Sequence, residues 1–86
     1  MERQKITKAM ITPVKYIVNL ATTKSRVSVW LYENTSMKIE GTLSGFDEYL
    51  NVILTQAEEV YVKTNTKRPI GQILLKGENI ALISKL

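Results

Sequence analysis

Residues 41–51 read GTLSGFDEYLN and residues 75–79 read LKGEN, and these two short segments decide the fold. Each lies between stretches in which apolar and polar residues alternate, which predicts that each forms the tip of a β-hairpin. Gly41 and Gly45 interrupt an otherwise regular strand, where glycine usually marks a sharp bend or a bulge. A strand with two such bends can contribute to both halves of a small closed barrel, so we expect an all-β body.

The rest of the chain supplies one helix and the remaining strands. Thr12 and Pro13 suit the N-cap and the first position of a helix, and apolar residues at helical spacing continue it to about residue 22. We predict strands over residues 27–32, 37–45, 51–62, 70–75 and 79–83, with a polar loop carrying three basic residues at 63–69. The expected architecture is a strongly bent, five-stranded antiparallel open barrel, similar to an SH3 barrel, with an N-terminal α-helix.

We expect one domain over residues 1–86, with a basic tail at 1–11, the helix at 12–23 and the barrel at 26–84. The chain has no cysteine and no histidine, so disulfides, zinc sites of the usual kind and histidine-assisted nucleophiles are excluded. We therefore expect no metal, no cofactor and no catalytic residue. The net charge of +4, concentrated near both ends, suits a polyanionic partner, although a solvated surface explains it equally well. No apolar run is long enough to span a membrane.

The two loop segments contain groups that suit single-stranded RNA. Tyr49 offers a ring on which a base can stack, and Asn51 carries a donor and an acceptor that match the edge of uracil. Lys76 offers a cation to the base or to a phosphate, and Gly77 is expected to supply a positive φ and let RNA approach the backbone. Each residue also has a structural explanation, as a loop tyrosine, a turn asparagine, a solvated lysine or a turn glycine.

The last two predicted strands are apolar on both faces, whereas a half-solvated antiparallel strand alternates. Such strands at a sheet edge favour pairing with another chain. The alternative is that the N-terminal helix covers the second face. The candidate residues for a subunit interface are Ile73, Leu74, Leu75, Ile80, Leu82 and Ile83.

These segments resemble the two motifs of the Sm/LSm family, and the resemblance spans about residues 12–84. The first motif is matched by Gly41, Leu43, Gly45, Asp47, Leu50 and Asn51, and the second by residues 73–80, ILLKGENI. Leu50 stands where many members have Met, Lys76 where Arg is common, and Glu78 where Asp is common. Two motifs in this order and at this separation are more specific than a single glycine pattern.

The resemblance implies the Sm fold and an RNA-binding subunit of a ring of seven different Sm proteins. Such a ring assembles on the uridine-rich site of spliceosomal snRNA and acts in snRNP biogenesis and pre-mRNA splicing. Each fourth strand pairs with a neighbour's fifth, and each subunit holds about one nucleotide in the central hole. The greatest similarity is to a spliceosomal subunit whose neighbours are Sm F and Sm G, which implies the nucleus, with cytoplasmic assembly. The family pattern also implies that Asp47 orients Asn51 from within its loop.

Two other functions stay open at the level of the sequence. One is a subunit of an LSm ring in RNA decay, or a homomeric RNA chaperone with the same fold. The other is a small SH3-like barrel that binds a peptide or a protein. Binding of oligouridine separates these classes, because a peptide-binding module ignores it.

Overall fold

The computed structural model describes residues 14–86 of the chain. The expected basic tail at 1–11 and the proposed cap residues Thr12 and Pro13 lie outside this part. The elements in chain order are the helix α1 (Val14–Thr22), the strands β1 (Arg26–Leu31), β2 (Asn34–Phe46), β3 (Val52–Tyr61), β4 (Thr66–Leu75) and β5 (Ile80–Lys85), and one turn of 3₁₀ helix, Gly77–Asn79, between β4 and β5. The predicted fold class, a bent five-stranded antiparallel sheet with an N-terminal helix, is confirmed.

Helix α1 is amphipathic and ends abruptly. Ile17 and Leu20 on its inner face are almost completely buried. At its end, the backbone N–H of Ser25 donates to the carbonyl of Leu20 over 3.0 Å, and that of Lys24 donates to Ala21 over 3.2 Å. Lys24 has a φ of 51°, and a helix ending of this kind requires one residue in this left-handed conformation. This reversal directs the chain straight into β1.

The five strands form one sheet in the order β4-β3-β2-β1-β5, and all neighbouring strands are antiparallel. β4 and β5 are therefore the two edges. The register between β2 and β3 shifts at both predicted bends, next to Gly41 and next to Gly45. A Cβ at Gly41 would lie 3.1 Å from the Cβ of Leu54 and 3.2 Å from that of Ala57. Glycine at this bend lets β2 and β3 pack closely while β2 curves into both halves of the barrel.

The core lies inside the curved sheet, and α1 packs over it against β2. Its buried side chains are Ile17, Leu20, Val27, Val29, Ile39, Leu43, Val52, Leu54, Ala57, Leu75 and Ile83. Full burial of a branched aliphatic side chain contributes about 1.5–3 kcal/mol. Every strand supplies at least one of these residues, so the core fixes the curvature that brings distant loops together.

The predicted polar loop at 63–69 is wrong in its second half, because β4 already begins at Thr66. Polar cross-strand pairs extend the ladder there, and Arg68 Nη1 lies 3.2 Å from Glu59 Oε1 on β3. Pro69 is tolerated inside β4 because an edge strand need not donate every backbone N–H. Apolar alternation could not show the start of β4, since its residues 66–68 are all charged or polar.

Candidate nucleic-acid interface

The site lies where two loops meet at one end of the barrel. We call residues 47–51, between β2 and β3, the first loop, and residues 76–79, between β4 and β5, the second loop. The backbone N–H of Gly77 donates a hydrogen bond to Oδ1 of Asn51 over 2.7 Å. The curvature of the sheet thus joins loops that are 26 residues apart in sequence.

Asp47 organises the first loop. Its Oδ1 accepts hydrogen bonds from the backbone N–H groups of Tyr49 and Asn51, over 2.9 and 3.0 Å. Its Oδ2 accepts a hydrogen bond from Nδ2 of Asn51 over 2.9 Å. These donors, above all the Asn51 amide, hold the pKa of Asp47 below its ordinary value of 3.8. The carboxylate is therefore ionised at neutral pH and keeps the loop in one conformation.

The surroundings of Asn51 fix the orientation of its amide. The Gly77 N–H needs an acceptor and the Asp47 carboxylate needs a donor, so Oδ1 faces Gly77 and Nδ2 faces Asp47. One N–H of Nδ2 and one lone pair of Oδ1 are not used in these bonds. This adjacent donor and acceptor complement the O4 and N3–H of uracil.

Gly77 does not have the positive φ that the sequence suggested; among the glycines of residues 14–86, only Gly71 has one, at 79°. Its lack of a side chain serves a close contact instead. A Cβ on Gly77 would overlap the carbonyl oxygen of Tyr49 and lie 2.9 Å from that of Leu50. Glycine is required here because the two loop backbones touch.

Leu50 adopts the left-handed conformation, with a φ of 62°, which costs a leucine roughly 1–3 kcal/mol. Its backbone N–H donates to the carbonyl of Asp47 over 3.0 Å, and its half-buried side chain packs against the core. Leu50 thus anchors the first loop while its neighbour Tyr49 remains 73% exposed. Sequence reasoning identified Leu50 only as a motif position, because nothing in a leucine announces a positive φ.

The two loops enclose an open groove beside the core. Its lining consists of Tyr49, Leu50, Asn51, Lys76, Gly77 and Glu78. Lys76 is exposed and forms no ion pair with any residue from 14 to 86. The structure therefore brings together all four residues expected to contact RNA, with an aromatic face, an amide edge and a cation around one space.

The candidate interface residues lie on the two edge strands, but they differ in exposure. Leu74 is 59% exposed, whereas Leu75 and Ile83 are buried in the core of the chain itself. The side chains of those two residues cannot also face a neighbour, so only their backbone is available to one. The remaining candidates are partly buried, namely Ile73, Ile80 and Leu82.

The described residues add two further observations. They contain no group of three or more acidic side chains that could hold a metal ion. None of their helices is both long and apolar enough to cross a membrane.

The fold and the two loop motifs define a class of protein. The sequence model of the LSM domain matches residues 19–85, and the chain belongs to this family. Over 95% of its length, the chain is 52% identical to the "Probable small nuclear ribonucleoprotein E" of Drosophila melanogaster, of which it covers 87%. The likeness to the Sm/LSm family, and within it to the E subunit, is confirmed.

Two solved structures share the fold. One is the Pyrococcus abyssii Sm protein in complex with a uridine heptamer, at 28% identity and a TM-score of 0.73, where the match covers 86% of this chain and 97% of that one. The other is the P. aerophilum SmAP1 heptamer, at 28% identity and a TM-score of 0.75, covering 87% and 93%. The first of these proteins binds uridine RNA, and the second is a heptamer.

Proposed function

We propose that the chain is the E-type RNA-binding subunit of a seven-membered Sm ring that assembles on the uridine-rich site of spliceosomal snRNA. Its role is in the small nuclear ribonucleoprotein, and through it in pre-mRNA splicing. Sequence identity to small nuclear ribonucleoprotein E and the fold shared with an Sm protein solved in complex with a uridine heptamer support this role. The role is one of binding, since the two loops present recognition groups and no nucleophile paired with a general base.

One observation carries the proposal: the hydrogen-bonded chain from Asp47 through Asn51 to Gly77. It holds an unused donor and acceptor at the edge of a groove that also contains Tyr49 and Lys76. A network of this kind preorganises the groups that read a base, so little ordering is left for the moment of binding. A surface built only for solvent or for a peptide needs no such arrangement.

The groove suggests how a uridine is held. The base stacks on the ring of Tyr49, the Asn51 amide pairs with its edge, and Lys76 approaches it or the adjoining phosphate. Stacking tolerates every base, whereas the amide discriminates, so affinity and preference reside in different residues. One such site is weak, and seven sites around a ring add their effects because they bind one continuous strand.

The partners and the location follow from the same reading. β4 and β5 are the two outer strands of the sheet that residues 14–86 form, and each can pair with a strand of a neighbouring subunit. We propose Sm F and Sm G as the two neighbours, uridine-rich snRNA as the ligand, and the nucleus as the location, with assembly in the cytoplasm.

Binding of oligouridine and oligocytidine by the assembled ring tests the proposal. Tyr49→Ala is expected to weaken the binding of both oligonucleotides by about 1–3 kcal/mol, the contribution of one stacked base. Asn51→Ala is expected to remove most of the preference for uridine, because the edge contact is lost. Lys76→Ala is expected to lower affinity and flatten the salt dependence through loss of one phosphate contact.

The controls are the intact ring and its composition. An unchanged uridine preference after Asn51→Ala, with the ring assembled, contradicts the role of this residue. Co-purification with LSm subunits, rather than with Sm F and Sm G, assigns the chain to an LSm ring. A wild-type ring that ignores oligouridine overturns the proposal and favours a peptide-binding module.

A further inference from the structure

The end of the barrel that carries the groove also carries the turn between β1 and β2, which does not line the groove. β1 ends at Leu31, which pairs with Ile80 at the start of β5. The next residue, Tyr32, donates its backbone N–H to the carbonyl of Asn79 over 3.0 Å. The turn between β1 and β2 is therefore attached to the far end of the second loop, whose near end is attached to Asn51.

The two attachment points are close together. Gly77 and Asn79 are two residues apart in a 3₁₀ turn, which rises about 2 Å per residue. The second loop thus separates the Asn51 contact from the Tyr32 contact by about 4 Å along its axis.

The side chain of Tyr32 is free to bind. It is 57% exposed, and its hydroxyl forms no hydrogen bond with any residue in the described part of the chain, 14–86. Tyr61 shows the contrasting case, since its hydroxyl donates to Glu59 over 2.7 Å and its ring is half-buried. Tyr49, whose carbonyl lies against Gly77 at the other end of the second loop, is also exposed, at 73%.

We infer that Tyr32 forms a second contact for single-stranded RNA, at the end of the second loop opposite to the one that Tyr49 touches. This inference rests on the proposed function and extends its site by one nucleotide. The ring of Tyr32 packs on the base or ribose of the nucleotide that adjoins the one in the groove. The contact adds affinity and tolerates any base, because a stacked ring reads no edge.

The charges around Tyr32 decide which part of the nucleotide it meets. Glu33 adjoins it in the chain, and Glu78 precedes Asn79, whose carbonyl accepts from Tyr32; both glutamates are exposed. They repel a phosphate, so the aromatic face meets a base or a sugar. Loss of Tyr32 should therefore leave the salt dependence of binding unchanged, in contrast to loss of Lys76.

The test uses the complete ring and oligouridine that extends several nucleotides beyond the ring site. Tyr32→Ala is expected to weaken binding about five-fold or more, with the salt slope and the preference for uridine unchanged. Tyr32→Phe keeps the ring and should retain wild-type affinity. Tyr16→Ala is the matched control, because Tyr16 is an exposed tyrosine on α1 that does not line the groove.

Each result has one meaning. Wild-type affinity of the Tyr32→Ala ring overturns the inference and leaves the proposed function standing. Failure of Tyr32→Ala to assemble, with the subunit folded, makes Tyr32 a contact between subunits and also overturns it. A wild-type ring without affinity for oligouridine overturns both this inference and the proposed function.

Discussion

The side-chain amide of Asn51 has four hydrogen-bonding positions, and the fold uses two of them. One N–H of the amide donates to Asp47, and one lone pair of its oxygen accepts from the backbone N–H of Gly77. The amide that would recognise a base therefore also joins the two loops. At the scale of single residues, recognition and loop structure therefore depend on each other. Asp47 contacts the amide but does not line the groove, so a change of Asp47 acts on recognition only through the structure of the loop.

The lowered pKa of Asp47 predicts the acid limit of binding. The carboxyl has a lower pKa in the folded chain than its ordinary 3.8, so the stability it contributes is present above that value and is lost as pH falls through the folded pKa. Binding of oligouridine by the ring should stay constant between about pH 8 and 5 and decline only below about pH 4.

Asp47→Asn supplies the control for this prediction. The substitution removes the titrating group and one strong acceptor. The affinity of the variant ring for oligouridine should therefore be lower than that of wild type at neutral pH, and it should not show the acid decline that stems from Asp47. Titration of binding against pH, with ring integrity followed by light scattering, measures both. A wild-type decline centred near pH 6 contradicts the prediction.

At the scale of elements, the contact between the two loops depends on the absence of one Cβ. The loop backbones touch at Gly77, while the amide of Asn51 bridges them. Because β3 begins after the first loop and β4 ends before the second, this contact also secures the pairing of the two strands at this end of the sheet.

Gly77→Ala should separate the loops, since its Cβ would overlap the carbonyl of Tyr49. Overpacking of this kind typically lowers the free energy of unfolding by about 1–3 kcal/mol, so we expect a lower melting temperature together with weaker RNA binding. Gly45→Ala is the matched control, because its Cβ would meet only Cδ1 of Ile53, at 3.8 Å. Equal behaviour of the two variants would contradict the assigned role of Gly77.

Elements with a regular apolar period could be predicted from the sequence, and those held by polar pairs could not. The bends at Gly41 and Gly45 and the five strands follow from alternation broken by glycine. The start of β4 at Thr66 was missed because residues 66–68 of this strand are all charged or polar. The residue types of the site were predictable. The left-handed Leu50 was not, because nothing in a leucine indicates a positive φ, and the loop contact at Gly77 was not, because it arises only when the barrel brings the two loops together.

At the scale of the whole molecule, the sheet exposes two edges that differ in surface. β4 carries the exposed side chain of Leu74, whereas β5 borders a small apolar pocket lined by Ile17, Leu50 and Ile83, among others. Neither edge has a partner strand among residues 14–86. Unpaired backbone groups beside apolar surface are the usual features of a strand that pairs with another chain.

Leu74→Glu should weaken ring assembly more than it weakens the fold, because the side chain is 59% exposed in the single chain. Val62→Glu is the control, since Val62 is 44% exposed but follows β3, away from either edge strand's apolar part. Size-exclusion chromatography with the partner subunits measures assembly, and circular dichroism measures the fold. A Leu74→Glu chain that assembles like wild type refutes the interface at β4.

The order β4-β3-β2-β1-β5 makes each subunit a link with two unlike ends. A chain of such links grows head to tail, and it closes into a ring only if each link turns by the same fraction of a circle, about 51° for seven. An altered angle between the edges would yield a ring with a different number of subunits or, if the rotation does not close, an open helix. The bend at Gly41 contributes to the curvature between the two edges, so a single glycine inside one strand bears on how many subunits complete the circle.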